Sequence, residues 1–114
     1  VEVADAINNA PVFLTPTILA ELQYGVDRAA SARQRTLRAS ALARLKRKPC
    51  LTIDRDTGVL FGAIEAELDR SGRPSTHRLH DLWIAATAIQ HAYALLSRNR
   101  SDFADISGLN LLVI

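Results

Sequence analysis

Three segments of this chain carry oxygen-bearing side chains at places where an α/β protein gathers its chemistry. Glu21 lies in Leu19-Ala20-Glu21-Leu22-Gln23-Tyr24-Gly25, and Asp81 in His80-Asp81-Leu82-Trp83-Ile84-Ala85-Ala86-Thr87-Ala88. Asn99 and Asp102 follow in Ser97-Arg98-Asn99-Arg100-Ser101-Asp102-Phe103. In open parallel sheets, functional groups collect where strands end and helices begin. Hard divalent cations take oxygen ligands and are usually held by a few carboxylates, with water and substrate phosphate completing the shell. Such a cation polarises a scissile phosphate and lowers the pKa of a water, which then attacks phosphorus. Carboxylates crowded together without a cation repel, so a cluster of them makes sense mainly as a metal site. Gly25, one turn beyond Glu21, leaves room beside that carboxylate for another segment or a ligand. Taken singly, each residue also has an ordinary use. Glu21 can be an exposed helix residue, Asp81 an acid favoured at the positive end of its helix, and Asn99 and Asp102 turn and cap residues.

The elements that must position these groups alternate. Pro11-Val12-Phe13-Leu14 reads as a short buried strand. Thr15-Pro16 then reads as an N-cap with proline at the first helical position, and Ile18, Leu19, Leu22 and Val26 give the following helix one buried face. A second helix is expected over 31–47, with Leu37, Leu42 and Leu45 as its sparse apolar stripe and Pro49 ending it. Cys50-Leu51-Thr52-Ile53 reads as a strand closed by Asp54-Arg55-Asp56. Helical spacing returns from Thr57 to Arg70, with Val59, Leu60, Ile64 and Leu68 inward. Ser71-Gly72-Arg73-Pro74-Ser75 is the clearest loop. Ser75 or Thr76 is then placed to cap an alanine-rich helix running to His91. A strand at Ala94-Leu95-Leu96, a helical turn over Ser101–Asp105 and an apolar strand over Leu109–Ile114 close the chain. Short strands alternating with longer helices predict an α/β fold, a small, mainly parallel sheet flanked by helices.

Composition bounds the function. The 114 residues suffice for one domain with one core. No stretch approaches the length of a transmembrane helix, so no membrane partner is expected. Glu2 and Asp5 interrupt the first apolar residues, which argues against a signal peptide. The single Cys50 cannot form an internal disulfide, and the cytoplasm is the default location. The chain opens on Val1, which fits a processed product or a piece of something longer.

The net charge of +2 says little, but its distribution says more. Arg28, Arg33, Arg35, Arg38, Arg44, Lys46, Arg47 and Lys48 stand in one stretch with no acid among them. Such a run can neutralise phosphates and attract nucleic acid. A solvated helix face or a surface for an acidic protein explains it equally well. Arg73, Arg78, Arg98 and Arg100 neighbour the candidate acids and suit either nucleic-acid phosphates or the acidic residues of a partner. His77 and His80 have a spacing that can hold a transition metal on one helix face, but no third ligand accompanies them. Trp83 and Tyr93 read as core or interface residues rather than base-stacking platforms. No Gly-rich phosphate loop is present.

One resemblance joins the separate segments. Ala20-Glu21-Leu22-x-x-Gly25, then Asp81-x-x-Ile84-Ala85-Ala86-Thr87-Ala88, then Ser97-Arg98-Asn99-x-x-Asp102-Phe103, ending in Gly108-Leu109, resembles the VapC-type PIN-domain toxins in residue order and in the 18 positions from Asp81 to Asn99. Gly72-Arg73-Pro74 adds to the likeness, which runs from residue 11 to the C-terminus. The resemblance implies a small endoribonuclease of a toxin–antitoxin pair that uses Mg2+ (or Mn2+). It also implies restraint by a cognate antitoxin protein, and a homodimer. It makes Glu21 the second and Asp81 the third acid of the active site. Asn99 stands where many members have a fourth acid. Being neutral, it can orient a water through its carbonyl oxygen, while Asp102 supplies the negative charge nearby. Arg28, Arg33, Arg35, Arg38, Arg98 and Arg100 become the expected RNA contacts.

The chain departs from the family at its start. Members begin with a strand bearing the first catalytic aspartate, set further ahead of the Glu than the 20 residues available here. Asp5 lacks an apolar strand ahead of it, and Val1–Asn9 reads as the end of the family's first helix. The first strand and its aspartate are therefore expected to be absent from these residues, leaving an open sheet edge. Two other classes remain: a PIN-like module that grips nucleic acid or protein without cutting, and a phosphatase or DNA-directed nuclease on a similar scaffold.

Overall fold

Thr15 starts the first helix as its sequence requires. Its hydroxyl oxygen accepts the Ile18 N–H at 3.1 Å, and Pro16, which has no N–H to lose, takes the first helical position. A computed structural model of the chain describes residues 12–73 and 78–113, and this helix, α1, covers Pro16–Asp27. Ser31 caps α2 (Ala32–Leu45) by accepting the Gln34 N–H at 3.1 Å. The two helices form a hairpin whose closure Arg38 secures. Its Nη1 donates to the Gly25 carbonyl at 2.6 Å, one of the four carbonyls that the end of α1 leaves without an internal partner.

Helix α3 (Arg55–Arg70) begins two residues before the expected Thr57. Asp54-Arg55-Asp56 does not close a strand but starts this helix through a capping box. The Asp54 carboxylate accepts the Asp56 and Thr57 N–H groups, while the Thr57 hydroxyl accepts the Asp54 N–H at 2.9 Å. Gln90 donates to the same carboxylate at 2.8 Å, and its side-chain oxygen accepts the Thr57 hydroxyl. The start of α3 is thereby tied to the end of α4 (Leu79–Gln90). The far end of α3 is a Schellman motif: Gly72 sits at φ 72°, its N–H donating to Asp69, while Arg73 N–H donates to Leu68 at 2.8 Å. Helix α4 ends in the same way, with Ala92 at φ 59° and Tyr93 N–H donating to Ala88. It starts later than expected, at Leu79. Arg78 holds the N-cap position and makes no capping bond with its side chain. Ser75 and Thr76, the caps read from the sequence, lie outside the described residues, as does His77.

Among the described residues the sheet is smaller than the sequence suggests. Strands β1 (Leu95–Ser97) and β2 (Leu111–Val113) pair in parallel, with Leu95 opposite Leu111, joined through the short helix α5 (Arg100–Phe103). Within the described part of the strands expected at 11–14 and 50–53, pairing is one parallel bridge between Leu14 and Cys50. Leu14 N–H donates to the Pro49 carbonyl and Leu51 N–H to the Leu14 carbonyl, at 2.8 and 2.7 Å. Prolines explain the brevity. Pro49 has no N–H for a ladder, and Thr15-Pro16 turns the chain into α1. An apolar cavity of about 440 Å3 lies between the two sheet fragments, walled by Phe13 and Leu14 on one side, Leu95 and Leu96 on the other, and floored by Ile84 and Ala88.

The core sits where α3 and α4 meet the sheet. Ile64, Leu68, Leu82, Ala85, Ala86, Phe103 and Ile106 form it, with Leu82, Ala85 and Ala86 wholly buried. Small alanines let α4 approach closely, and Trp83 stacks on Phe61 with ring centroids 4.3 Å apart, a packing role in keeping with its reading as core. Tyr93 packs likewise on Phe13 at 4.5 Å. Two residues placed inward by periodicity are exposed instead: Leu37 at 63% and Val59 at 68%. Of the three leucines expected inward on α2, Leu42 and Leu45 turn in. That of α3 turns through Leu60, Phe61, Ile64 and Leu68, leaving Val59 on the outer side. Among the described residues no helix is long and apolar enough to cross a membrane.

Candidate active site

The three segments singled out for their chemistry come together. Glu21 stands in the middle of α1 and Asp81 in the first turn of α4, and these helices pack on one another. The junction is bridged by His80, whose Nδ1 lies 3.2 Å from Glu21 Oε1. Asp102 arrives from α5, which packs against both α4 and β2.

Electrostatics report the gathering. The Asp81 carboxyl is pushed above the usual aspartate range, first by burial, then by the negative charges of Asp102 and Glu21; Arg78 and His80 oppose this more weakly. One acid is thus crowded by two others, from two different elements. Asn99 occupies the N-cap position of α5 without making a capping bond through its side chain. Its N–H donates to Ser97 Oγ at 3.0 Å and its carbonyl accepts the Asp102 N–H at 3.2 Å, so it shapes the turn that presents Asp102.

The donor set suits a hard divalent cation, being carboxylate oxygens with an amide alongside. The crowding of negative charge at Asp81 is the second feature such a cation would relieve. Among the described residues, however, no three His, Cys, Asp or Glu side chains converge closely enough to form a ready-made metal cage. Glu21 is turned to His80 instead. Of the paired histidines, His80 faces Glu21 and His77 lies outside the described residues.

The basic residues divide. Arg28, Arg33, Arg35, Arg44, Arg98 and Arg100 are exposed. Arg38 is also exposed but holds Gly25, so part of its donor capacity belongs to the α1–α2 hairpin. Arg78 is not a free phosphate contact. Its guanidinium forks onto Asp105 at 2.8 and 2.7 Å and donates to the Asp102 carbonyl. That fork holds the Asp105 carboxyl below its ordinary pKa and the guanidinium above its own. Arg73 lies 3.5 Å from the same carboxylate with its side chain 60% exposed. The sequence reading missed this pair, and the His80–Glu21 contact too. Asp105 carries no signal of its own, because its partner is 27 positions away.

Comparison with known proteins fits this arrangement. The PIN domain family model matches residues 1–109. Ribonuclease VapC5 of Mycobacterium tuberculosis is 34% identical over 97 residues, 85% of this chain and 70% of that protein. This chain belongs to the VapC-type PIN-domain family. Ribonuclease VapC1 of Rickettsia felis is likewise 34% identical, over 90% of this chain and 75% of its own length. Among solved structures, VapBC-5 from Mycobacterium tuberculosis, a member of the VapBC family of toxin–antitoxin systems, superposes with a TM-score of 0.78 at 27% identity. That match covers 88% of this PIN domain and 79% of the other chain. Such a superposition establishes the α/β fold, helix-rich with a small parallel sheet, that strand–helix alternation led us to expect.

Proposed function

We propose that this PIN domain is the endoribonuclease toxin of a toxin–antitoxin pair and cuts RNA phosphodiester bonds with the help of Mg2+ or Mn2+. The observation that carries the reading is the crowding of Asp81 by Asp102 and Glu21: the resemblance makes Glu21 and Asp81 acids of the site, and Asp102 lies three positions after the neutral Asn99 that stands at the fourth. In this reading Glu21, Asp81 and Asp102 hold the cation, which would polarise the scissile phosphate and ease deprotonation of an attacking water. Asn99 orients that water through its side-chain carbonyl. Arg98 and Arg100, exposed beside the acids, receive the RNA backbone, and the basic face of α2 extends the contact. His80 contacts Glu21 at 3.2 Å, and Glu21 would have to leave that contact to serve as a ligand of the cation. The family's first acid is expected on a strand that the sequence reading did not find here; residues 1–11 lie outside those described.

The relatives' names support the ribonuclease reading, and the toxin–antitoxin assembly of the structural neighbour supports a protein antitoxin as partner. A homodimer and a cytoplasmic location belong to the same proposal. Metal-dependent cleavage of single-stranded RNA, lost in Asp81→Asn, tests it. A second reading, a PIN module that binds without cutting, draws on the neutral Asn99 and on the incomplete convergence of the acids. RNA binding that is indifferent to Mg2+, with no cleavage by antitoxin-free protein, would select that reading instead.

A further inference from the structure

Arg78 occupies the N-cap position of α4, three residues before Asp81, yet its side chain turns away from that helix. Its Nη1 and Nη2 donate to the two carboxylate oxygens of Asp105, and Nη2 also donates to the backbone carbonyl of Asp102 at 2.5 Å. The side chains are only 18% and 14% exposed, so the fork is shielded from most water. The Asp102 carbonyl belongs to α5, a helix of four residues, too short to satisfy its own terminal carbonyls. One side chain therefore joins two elements: its backbone starts α4, and its guanidinium fixes the last turn of α5.

Stability alone is a poor reason for this arrangement. A buried ion pair is often no better than well-packed apolar residues of the same volume. Here the Arg78 Nε–H is, in addition, buried without a partner among the described residues, a further cost to stability. What the fork does provide is fixed geometry. Only a planar guanidinium can grip a carboxylate with both nitrogens and still reach a carbonyl; the single ammonium of lysine cannot. The distance it sets is that between the first turn of α4, with Asp81, and the turn of α5, with Asp102.

We propose that Arg78, clamped by Asp105, is a positioning residue that holds the Asp102 carboxylate opposite Asp81 so that both serve one divalent cation. The inference rests on the metal-dependent reading of the site, and Arg78 itself touches neither cation nor RNA.

Mn2+ titration of the full chain, read as free Mn2+ by electron paramagnetic resonance, tests this without reference to activity. The series is wild type, Asp81→Asn, Arg78→Gln, Arg78→Lys, Asp102→Asn, and each Arg78 variant combined with Asp102→Asn. Folding of each is checked by circular dichroism. Arg78→Gln should weaken Mn2+ binding about 10- to 100-fold, the usual effect of losing a group that orients a ligand, with Arg78→Lys intermediate. In the Asp102→Asn background the same changes should weaken binding no further, because Arg78 acts through Asp102. Should Arg78→Gln fail to fold, Arg78→Lys completes the cycle in its place. Unchanged affinity in the Arg78 variants, or losses that simply add to that of Asp102→Asn, overturns the proposal while leaving the metal site intact. A wild-type protein whose Mn2+ binding is absent, or indifferent to Asp81→Asn, overturns the metal-site reading itself.

Discussion

At Asp81 two influences oppose each other. A carboxylate in the first turn of a helix is favoured by the helix dipole. Burial and the charges of Asp102 and Glu21 act the other way and raise its pKa. A raised carboxyl pKa means the folded state binds the proton more readily than the unfolded chain. Ionisation of Asp81 therefore costs stability at every pH above its folded pKa. Asp81→Asn should raise the Tm of the metal-free protein at neutral pH while removing cleavage, and added Mn2+ should raise the Tm of the wild type more than that of the variant. Thermal melts with and without Mn2+ check both. Asp105 has the opposite sign. Its pKa is depressed, chiefly by the bond from Arg78, so it stabilises above the ordinary aspartate range and loses that contribution as pH falls through the lowered value. Asp105→Asn should cost on the order of 3 kcal/mol at neutral pH, the scale of breaking a mostly buried pair. It should also flatten the acid limb of the stability profile, as urea melts between pH 3 and pH 7 on the order of one unit apart would record.

Among the elements, helix ends were more legible than strands. Thr15-Pro16 and the Gly72 stop act as their residue types require, because capping depends on neighbours in sequence. The first three of the four helices α1 to α4 lie within two residues of where periodicity placed them, and α4 alone begins later. The segments at 11–14 and 50–53 pair less than a strand reading implies, since an apolar run shows that a segment is buried but not that a partner pairs with it. Leu37 and Val59 show the same limit: helical spacing names a stripe, and tertiary packing decides its edges. Of the candidate site, the proposed acids stand out in the sequence because each sits in a recognisable local pattern. The Arg78–Asp105 fork was not, because it depends on a contact across 27 positions. One helix end carries visible strain. Ala92 takes the left-handed conformation at φ 59° where glycine is the usual choice. Its side chain is exposed, so nothing is lost by removing it. Ala92→Gly should stabilise the protein by about 1 kcal/mol, raising Tm by roughly 4–8 °C for a domain near this size.

For the whole molecule, charge placement separates cutting from gripping. Net charge is only +2, yet α2 presents Arg33, Arg35 and Arg44 to solvent with no acid in its sequence. Replacing these three by Gln should weaken single-stranded RNA binding and lower the salt slope by roughly 0.7 for each phosphate no longer neutralised, while leaving Mn2+ affinity unchanged. Binding isotherms at several salt concentrations measure this, and an unchanged slope would make the face an ordinary solvated one. That Glu21, Asp81 and Asp102 form a metal-dependent nuclease site meets its sharpest test in cleavage of a mixed single-stranded RNA by antitoxin-free protein, with Mg2+ and with chelator, beside Asp81→Asn. A metal-dependent site predicts that the wild type cuts with Mg2+ but not with chelator, and that the variant does not cut at all. Cleavage that persists in Asp81→Asn, or no cleavage of any RNA by the folded wild type, would contradict it.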